Sequence, residues 1–542
     1  MSGSPEPLTS MNTVYDVLIV GAGPCGLAVA ARLRERTPSA LFTDEEHRRY
    51  HWLAKHSSRS SKKDRRNGQT KVASCTSSGH QDISMLVLDS SGDSWMAKWQ
   101  RLFKALEIQH LRSPMFFHPD PRDRDALRAF AHTEGRIDEL VEISGCVGKE
   151  ISKHTRKKRT ACRRCGKMRP TEIDERDRED YCTPSSKLFE AFCERTIERY
   201  HLDTGLVVQE TVASINFGAI DEVSEPFFTV ETDRTVRFAR TVVVAVGPGE
   251  NPAIPAPFPG RVCRGAVHAT DLRPGKLIDS ELATKIREGR VTNVLVIGGG
   301  LTSAQIADVA IRSGVTKVWH LCRGPLRVKP FDVDLQWMGK FRNREKAAFW
   351  MAEDDEERAY LLRQAVGGGS VTPRYQKVLK KHIEAGRLAL HTHTRVASQK
   401  WCADSGQWIV ETESPIPSMP PIDFVYFATG IQSGVQGVPL LQSFNSEFPI
   451  EMKDGFPALT DDLMWRADVP LFVTGKLAGL RLGPGAGNLE GARLGAERVS
   501  LAIEALLGHT DDRELVSSVN VGDAVHRYTC GVGSRFESLP VD

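Results

Sequence analysis

A glycine-rich turn close to the start of the chain constrains the fold more than any other feature. It follows an apolar, β-rich run at residues 15–20 (YDVLIV) and precedes an Ala-, Leu- and Arg-rich segment at 27–36. The turn is a GxGxxG pattern whose chemistry-bearing positions are Gly21, Gly23, Pro24, Cys25 and Gly26. The glycines allow a tight turn, a close approach of the backbone to a pyrophosphate, and close packing of helix on strand. The sequence therefore predicts a Rossmann-type unit that binds a dinucleotide at a helix N-terminus.

An acidic residue is expected about 20 residues beyond such a turn, at the end of the next strand, where its carboxylate binds ribose hydroxyls. Asp44 stands at that distance, where the second strand is predicted to finish, and Glu45 beside it is the alternative. We therefore predict that Asp44 or Glu45 binds the ribose of the first dinucleotide.

A second unit of the same kind starts at residues 293–297 (NVLVI). The apolar run again leads into a glycine turn and a helix, with nucleotide-facing positions Gly298, Gly300, Thr302 and Ser303. The following strand, predicted at 317–322, ends in Arg323 and not in a carboxylate. A guanidinium suits a 2′-phosphate, so the second cofactor is predicted to be NADPH, with Arg327 and Lys329 assisting. The alternative is that these basic side chains are only surface charge.

The remaining strand ends complete a recognisable order. Residues 242–247 (VVVAVG) and 424–430 (FVYFATG) each run from a strand into glycine, and 471–475 (LFVTG) precedes a last glycine-rich stretch and helix. This order resembles that of the two-dinucleotide-binding flavoproteins, in which FAD occupies the first motif and NADPH the second. The resemblance adds Gly247, Thr429, Gly430, Gly475, Gly483 and Pro484 to the cofactor-binding residues.

Within that superfamily, the segment 95–99 (WMAKW) and the element Leu111-Arg112-Ser113-Pro114 resemble the N-hydroxylating ornithine and lysine monooxygenases. They imply that Trp99 and Arg112 lie at the cofactor. The chain also resembles the flavin-containing monooxygenases, in a fungal-type branch, and distantly the oxidative stress-induced growth inhibitor proteins. Two charged insertions, near 54–72 and 150–180, are additions to the pattern.

The resemblance implies an α/β fold with two Rossmann-like domains and parallel sheets. A chain of 542 residues is too long for one compact core. We predict a discontinuous FAD domain at 14–270 and 425–506, and an NADPH domain at 284–424. Residues 1–13 are expected to be a flexible tail and 507–542 a peripheral one.

The function implied by the resemblance is that of an FAD- and NADPH-dependent monooxygenase of secondary metabolism. It would insert one atom of O₂ into a small molecule, by amine N-hydroxylation or similar chemistry, through a C4a-(hydro)peroxyflavin. No side-chain nucleophile is needed, and no catalytic residue is assigned. One alternative is an NADPH-dependent flavin oxidoreductase or oxidase without oxygen insertion. The other is a redox-sensing regulatory flavoprotein.

The other signals leave narrower alternatives. Among 11 cysteines, Cys162 and Cys165 form a CxxC that could be redox-active or half of a zinc site, although no metal is predicted. His118 lies among aromatic residues, which favours a packed core histidine over a catalytic one. The net charge of +3 and the lack of aromatics in the basic runs argue against nucleic-acid binding. A cytoplasmic protein without a membrane span, possibly a homo-oligomer, is expected.

Overall fold

The computed structural model describes residues 13–35, 83–143, 146, 175–203, 205–219, 226–247, 249, 251–258, 264–338, 342–432 and 434–507. The α-helices of this part of the chain are α1 Pro24–Arg34, α2 Ala97–Ala105, α3 Ala126–Thr133, α4 Ser186–Arg199, α5 Ser280–Arg287, α6 Leu301–Arg312, α7 Arg342–Trp350, α8 Asp355–Val366, α9 Pro373–Glu384, α10 Pro439–Glu447, α11 Gly479–Leu482 and α12 Leu489–Leu506. Short 3₁₀ turns connect several of them.

The first sheet is built around the strand that the apolar run predicts. Its strands are β1 Val14–Val20, β2 Met85–Leu88, β5 Val207–Val208, β6 Val212–Gly218, β7 Phe227–Thr232, β8 Val236–Val244, β18 Met464–Arg466 and β19 Val469–Val473. The order is β18-β19-β8-β1-β2-β5, with β7 also paired to β8 and β6 to β7. The strands from β19 to β5 run parallel. The central strand β1 is buried from Val17 to Val20 because helices cover it, which explains its unbroken apolar sequence.

The second sheet is parallel throughout. It contains β9 Ala266–His268, β10 Asn293–Ile297, β11 Lys317–Leu321, β12 Leu388–His391 and β15 Phe424–Phe427, in the order β12-β11-β10-β15-β9. The small two-stranded sheets are β3 Leu140–Glu142 with β4 Cys182–Pro184, β13 Val396–Cys402 with β14 Gln407–Thr412, and β16 Met452–Lys453 with β17 Phe456–Pro457. Two parallel sheets flanked by helices confirm the predicted α/β fold class.

The two sheets divide the chain at places that differ from the predicted boundaries. Strand β9 precedes residue 270 and β15 spans residue 425, yet both hydrogen-bond within the second sheet. The second sheet therefore includes strands from both parts of the chain that the sequence assigned to the first domain. The reason is that an apolar strand carries no mark of which sheet it joins.

Two chain segments connect the sheets, and they lie side by side. Pro252 and Ile431 form an antiparallel bridge, the Ala253 amide donates to the Gly430 carbonyl at 3.0 Å, and the Gln432 amide donates to the Asn251 carbonyl at 2.9 Å. Each segment follows one of the strand ends that the sequence analysis singled out. The second domain is thus attached to the first through a paired double linker.

The first sheet is covered by α1 and by α12, although these helices come from opposite ends of the chain. Arg32 of α1 forms an ion pair with Glu497 of α12, with 2.6 Å between Nε and Oε2, and both side chains are buried. Charges removed from water in this way are retained only when they are paired. Within the described residues, no helix is both long and apolar enough to cross a membrane.

Candidate functional site

The first glycine turn has the geometry that the sequence predicts. Gly21 has a φ of +111°, and a Cβ there would lie 2.6 Å from the Ala245 carbonyl oxygen, so no other residue fits. A Cβ at Gly26 would collide with the Gly21 carbonyl oxygen. A Cβ at Gly23, in contrast, would meet nothing within 4 Å. Gly23 therefore faces open space, which is where a pyrophosphate approaches in this class of turn.

The helix that follows this turn presents unsatisfied backbone amides. Gly23 is the N-cap of α1 and supplies no capping side chain, while Pro24 starts the helix. Helix α4, in contrast, is capped by Ser185, whose hydroxyl accepts from the Leu188 amide at 2.9 Å. The first amides of an uncapped helix, together with its dipole, form an anion-binding site. The turn and α1 thus fit a cofactor pyrophosphate.

The described residues offer an acidic partner for this turn at a position that the sequence analysis did not consider. Asp44 and Glu45 lie outside the described residues, and the strand beside β1 is β2 at Met85–Leu88. Asp89 follows directly, and its carboxylate accepts from the amides of Ala22 and Ser91 at 2.7 Å each. Asp89 therefore holds the position, at the end of the second strand, that the motif reserves for the ribose-binding carboxylate.

The second glycine turn repeats this arrangement in the second sheet. Gly298 has a φ of +151°, and a Cβ there would collide with the Ala428 carbonyl oxygen. Gly300 is the N-cap of α6 and supplies no capping side chain. Ser303, fully buried, donates its hydroxyl to the Gly300 carbonyl at 2.7 Å, and Thr302 beside it is half-buried. The amides at the start of α6 are therefore available to an anion.

Two side chains that the sequence analysis did not assign hold this turn from β11 and the residue after it. His320 and Cys322 both contact the Gly298 carbonyl oxygen, at 2.7 Å from Nε2 and 3.2 Å from Sγ. Burial lowers the pKa of His320 to about 4, so the ring is neutral and its proton lies on Nε2, which donates to the carbonyl. The available signal was the central place of this strand, because residues 318–321 are all buried and a histidine among them needs a hydrogen-bond partner.

Arg323 stands where the sequence predicts a 2′-phosphate ligand. It follows β11 by two residues, its side chain is exposed, and β11 is parallel to β10, so both strands end at the same edge of the sheet. Lys329 is differently placed, because its ammonium donates to the Ala365 and Val366 carbonyls and pairs with Asp334 at 2.9 Å. Arg327 is exposed. Among the three basic residues, Arg323 fits the predicted role best.

The other strand ends meet the two turns. The Ala245 amide donates to the Val20 carbonyl and the Ala428 amide to the Ile297 carbonyl, each at 2.8 Å, which brings Gly247 and Gly430 to the two edges. The hydroxyls of Thr429 and Thr474 are buried and have no hydrogen-bond partner among the described residues. A buried hydroxyl without a partner is costly, and a bound nucleotide would supply one.

The closing segment lies against the first turn. Gly475 contacts the Cys25 thiol, since a Cβ there would be 3.3 Å from Sγ. Gly483 and Pro484 begin a short 3₁₀ helix, Pro484–Gly487, which leads to α12. The segment thus has the position expected of a final cofactor-binding element.

Trp99 and Arg112 have surroundings that the sequence did not foresee. Trp99 stacks on Phe103 with 3.7 Å between ring centroids and lines a cavity of about 340 Å³ together with Trp95, Met96 and several carboxylates. The Met96 amide donates to the Ala22 carbonyl at 2.8 Å, so this segment borders the first turn. The Arg112 guanidinium donates to Lys329, Phe331 and Ser370, between β11 and β12.

The remaining candidates are structural in the described part of the chain. His118 is fully buried, with Nε2 3.0 Å from the Arg124 carbonyl, and burial lowers its pKa to about 4. Burial raises the pKa of the Cys25 thiol to about 12 and that of Cys322 to about 11, so neither is a thiolate. No group of three or more potential metal ligands occurs among the described residues. Cys162, Cys165 and the insertion at 54–72 lie outside them.

The end of the second insertion can be described. Arg178 pairs with Glu142, while Glu179 and Asp180 pair with Arg128 and Arg124. These acidic side chains therefore contact the body of the first domain, whereas the basic half of the insertion lies outside the described residues.

Comparisons with known proteins agree with this geometry. Residues 179–432 match the family model described as L-lysine 6-monooxygenase/L-ornithine 5-monooxygenase. No curated protein matches the chain. The family match confirms the predicted resemblance to the N-hydroxylating ornithine and lysine monooxygenases.

Three solved structures share the fold. The ornithine N-hydroxylase of Kutzneria sp. 744, described with reduced FAD, NADP⁺ and L-ornithine, is 15% identical with a TM-score of 0.58, over 91% of this chain and 100% of that one. An FAD-bound cadaverine monooxygenase from Erwinia amylovora is 14% identical, with a TM-score of 0.54 over 91% and 95%. L-lysine 6-monooxygenase from Pseudomonas syringae is 16% identical, with a TM-score of 0.53 over 91% and 99%.

Proposed function

We propose that the protein is an FAD- and NADPH-dependent monooxygenase that hydroxylates the terminal amine of a small aliphatic substrate. The observation that carries the proposal is the pair of uncapped glycine turns, at Gly23 and Gly300, in two parallel sheets joined by a double linker. Such a pair provides one site for each of two dinucleotides. The family match over residues 179–432 supports the choice of reaction.

The first turn is the proposed FAD site. Gly23 leaves room for the pyrophosphate, the amides of α1 bind its charge, and Asp89 accepts from the ribose hydroxyls. When bound, FAD supplies the chemistry that side chains lack, since it accepts hydride from NADPH and activates O₂. The protein positions the cofactor and keeps water away from the reacting centre.

The second turn is the proposed NADPH site. Gly300 and the amides of α6 bind the pyrophosphate, while Arg323 binds the 2′-phosphate that distinguishes NADPH from NADH. The neutral His320 keeps the Gly298 carbonyl hydrogen-bonded, which helps to hold the turn in its positive-φ conformation. Each of these groups binds or orients and none reacts.

The amine class of substrate rests on the comparisons. The related structures are described as acting on ornithine, lysine and cadaverine, each of which has a primary amine at the end of an aliphatic chain. We infer the same functional group for the substrate of this chain. The thiols beside the two turns, Cys25 and Cys322, are neutral because burial raises the pKa of each, and that observation does not favour disulfide reduction.

The reassignment of the ribose ligand predicts a change in FAD affinity. We expect Asp89→Asn to weaken FAD binding at least about tenfold, because the amide nitrogen cannot accept from the Ala22 or Ser91 amide and the ribose loses a charged acceptor. The dissociation constant for FAD, measured by reconstituting apoprotein, tests this. Asp138→Asn removes an exposed carboxylate elsewhere in the same domain and should leave FAD affinity unchanged. Wild-type affinity in Asp89→Asn would contradict the assignment.

The reaction itself is tested by coupling. Purified protein loaded with FAD is given NADPH and O₂ with L-ornithine, L-lysine or cadaverine, and the hydroxylated amine is quantified against NADPH consumed. We expect one of the three amines to yield product in proportion to NADPH, and the same amine with its terminal nitrogen acetylated to yield none. Peroxide without product from any amine would favour an oxidase. FAD that NADPH does not reduce would favour a regulatory flavoprotein.

A further inference from the structure

Arg112 belongs to the first domain through its backbone. His110 bridges to Ser185, the Leu111 amide donates to the Pro184 carbonyl at 3.0 Å, and the Met115 amide donates to the Cys182 carbonyl at 2.8 Å. These bonds fix the loop on both sides of Arg112 to β4 and to the start of α4. The arginine is therefore held on a rigid support.

The guanidinium of Arg112 bonds to the chain between β11 and β12, which belongs to the second domain by sequence, although its Phe331 packs in the core of the first. Nη2 donates to the Ser370 hydroxyl at 2.7 Å, to the Phe331 carbonyl at 2.8 Å and to the Lys329 carbonyl at 3.1 Å. Nη1 donates to the Ser370 carbonyl at 3.2 Å and pairs with the Asp332 carboxylate at 2.9 Å. One side chain thus holds two separate segments of the second domain.

This contact is buried, as are the bond from the Tyr181 hydroxyl to the Met338 carbonyl and the Arg481–Asp355 ion pair, which also join the two parts of the chain. The Arg112 side chain is 12% exposed, whereas Arg312 and Glu107, which also pair across the domains, are 47% and 54% exposed. Burial lowers the pKa of Arg112 while Asp332 opposes the shift, and an arginine remains charged in either case. Removal of the guanidinium would leave buried carbonyls without donors, which is more costly than the loss of an exposed ion pair.

The segments that Arg112 holds adjoin the second glycine turn. Residues 327–329 pair with Val371 by two backbone hydrogen bonds. The Val371 amide donates to the Arg327 carbonyl at 2.9 Å, and the Lys329 amide donates to the Val371 carbonyl at 3.0 Å. Gly369, next to Ser370, packs on Gly300, and a Cβ at Gly369 would lie 3.1 Å from the Gly300 nitrogen. A continuous path therefore runs from Arg112 through Ser370 and Gly369 to the N-terminus of α6.

We propose that Arg112 is a positioning residue that aligns the second dinucleotide-binding turn with the first domain, so that the nicotinamide reaches the flavin. This role differs from the cofactor contact that the sequence predicts for Arg112, and it rests on the proposed function. The double linker joins the domains at one side, at Pro252 and Ile431. Arg112 is one of several buried attachments away from the linker, and its bonds reach Ser370, which adjoins the second glycine turn through Gly369.

The test separates alignment from cofactor binding. We expect Arg112→Ala to retain one FAD per chain but to be reduced by saturating NADPH about tenfold more slowly, because a small misplacement of the donor slows transfer strongly. Anaerobic stopped-flow absorbance measures this rate. Reduction by dithionite, which needs no domain alignment, should match the wild type. Peptides covering residues 366–372 should exchange amide hydrogen faster in the variant, with or without NADPH.

Two further variants keep the outcome decisive. Arg312→Ala removes the exposed cross-domain ion pair, and its flavin should be reduced by NADPH at a rate within about twofold of the wild-type rate. Arg112→Lys keeps the charge but loses the planar guanidinium, so its rate of flavin reduction by NADPH should lie between those of the wild type and Arg112→Ala. It replaces Arg112→Ala in the test if the alanine variant does not fold. The proposal would be overturned if Arg112→Ala lost FAD while its remaining holoprotein was reduced by NADPH at the wild-type rate. It would also be overturned if neither the rate of reduction nor the hydrogen exchange of residues 366–372 changed. If NADPH fails to reduce the wild type, the proposed function fails, and hydrogen exchange still decides the attachment.

Discussion

Gly23→Val is expected to yield a folded protein that has lost its yellow colour. The φ of −79° and ψ of −172° at Gly23 suit a β-branched residue, and a Cβ there meets nothing within 4 Å, so the fold has no reason to fail. The added methyl groups would instead fill the space through which a pyrophosphate approaches the backbone. The ratio of flavin to protein absorbance after purification measures the effect, and circular dichroism measures the fold.

A second glycine provides the matched control for this experiment. Gly218, at the end of β6, also has open space where a Cβ would lie, and it is remote from both glycine turns in the chain. Gly218→Val should therefore remain yellow. Full FAD occupancy in Gly23→Val would show that the first turn does not bind the pyrophosphate.

Arg323→Ala is expected to raise the KM for NADPH about 10- to 100-fold and to leave the KM for NADH nearly unchanged. A hydrogen bond to a charged group contributes about 1.5–3 kcal/mol, and only NADPH carries the 2′-phosphate that would receive it. Initial rates of flavin reduction over a range of each cofactor give the two constants. The exposed position of Arg323 allows its removal without a cavity.

Arg290→Ala is the control for charge alone. Arg290 is an exposed arginine of the same domain, before β10 and hence at the opposite edge of the sheet from Arg323. Its removal changes the net charge equally and should affect neither cofactor. Equal effects of Arg323→Ala on NADPH and NADH would exclude a specific contact with the 2′-phosphate.

The central elements of both domains were accessible from the sequence because local signals there agree. An unbroken apolar run, a glycine turn and an Ala-rich segment predict β1 with α1 and β10 with α6, and the structure has them within a few residues. The glycines are constrained by backbone contacts that any such turn must make. The position of Arg323 could be predicted in the same way, because β11, the strand before it, pairs in parallel with β10 and ends at the same edge of the sheet.

Asp89, the proposed ribose ligand, could not be located by spacing, because the chain between α1 and β2 is far longer than the motif assumes. A distance of about 20 residues presupposes a short connection. The usable signal was the second apolar run, MLVL at Met85–Leu88, which ends in Asp89 just as the motif requires. A search for the next strand, in place of a fixed count, would have found it.

Arg112 illustrates a different limit. The sequence element that contains it indicates its neighbourhood, but the direction of a loop side chain depends on elements far away in the chain. Ser370 and Phe331 are more than 200 residues beyond it, and no periodicity connects them to the loop. The same holds for domain boundaries, since β9 and β15 carry no local mark of their sheet.

The ion pair between Arg32 and Glu497 also has a consequence for biosynthesis. It closes a separation of 465 residues between the second element and the last described helix. During translation the sheet containing β1 therefore lacks β19 and α12 until nearly all of the described chain has left the ribosome, whereas the five strands of the other sheet are complete by residue 427. The domain synthesised in the middle can finish folding first, and the domain begun first must wait for its closing helix.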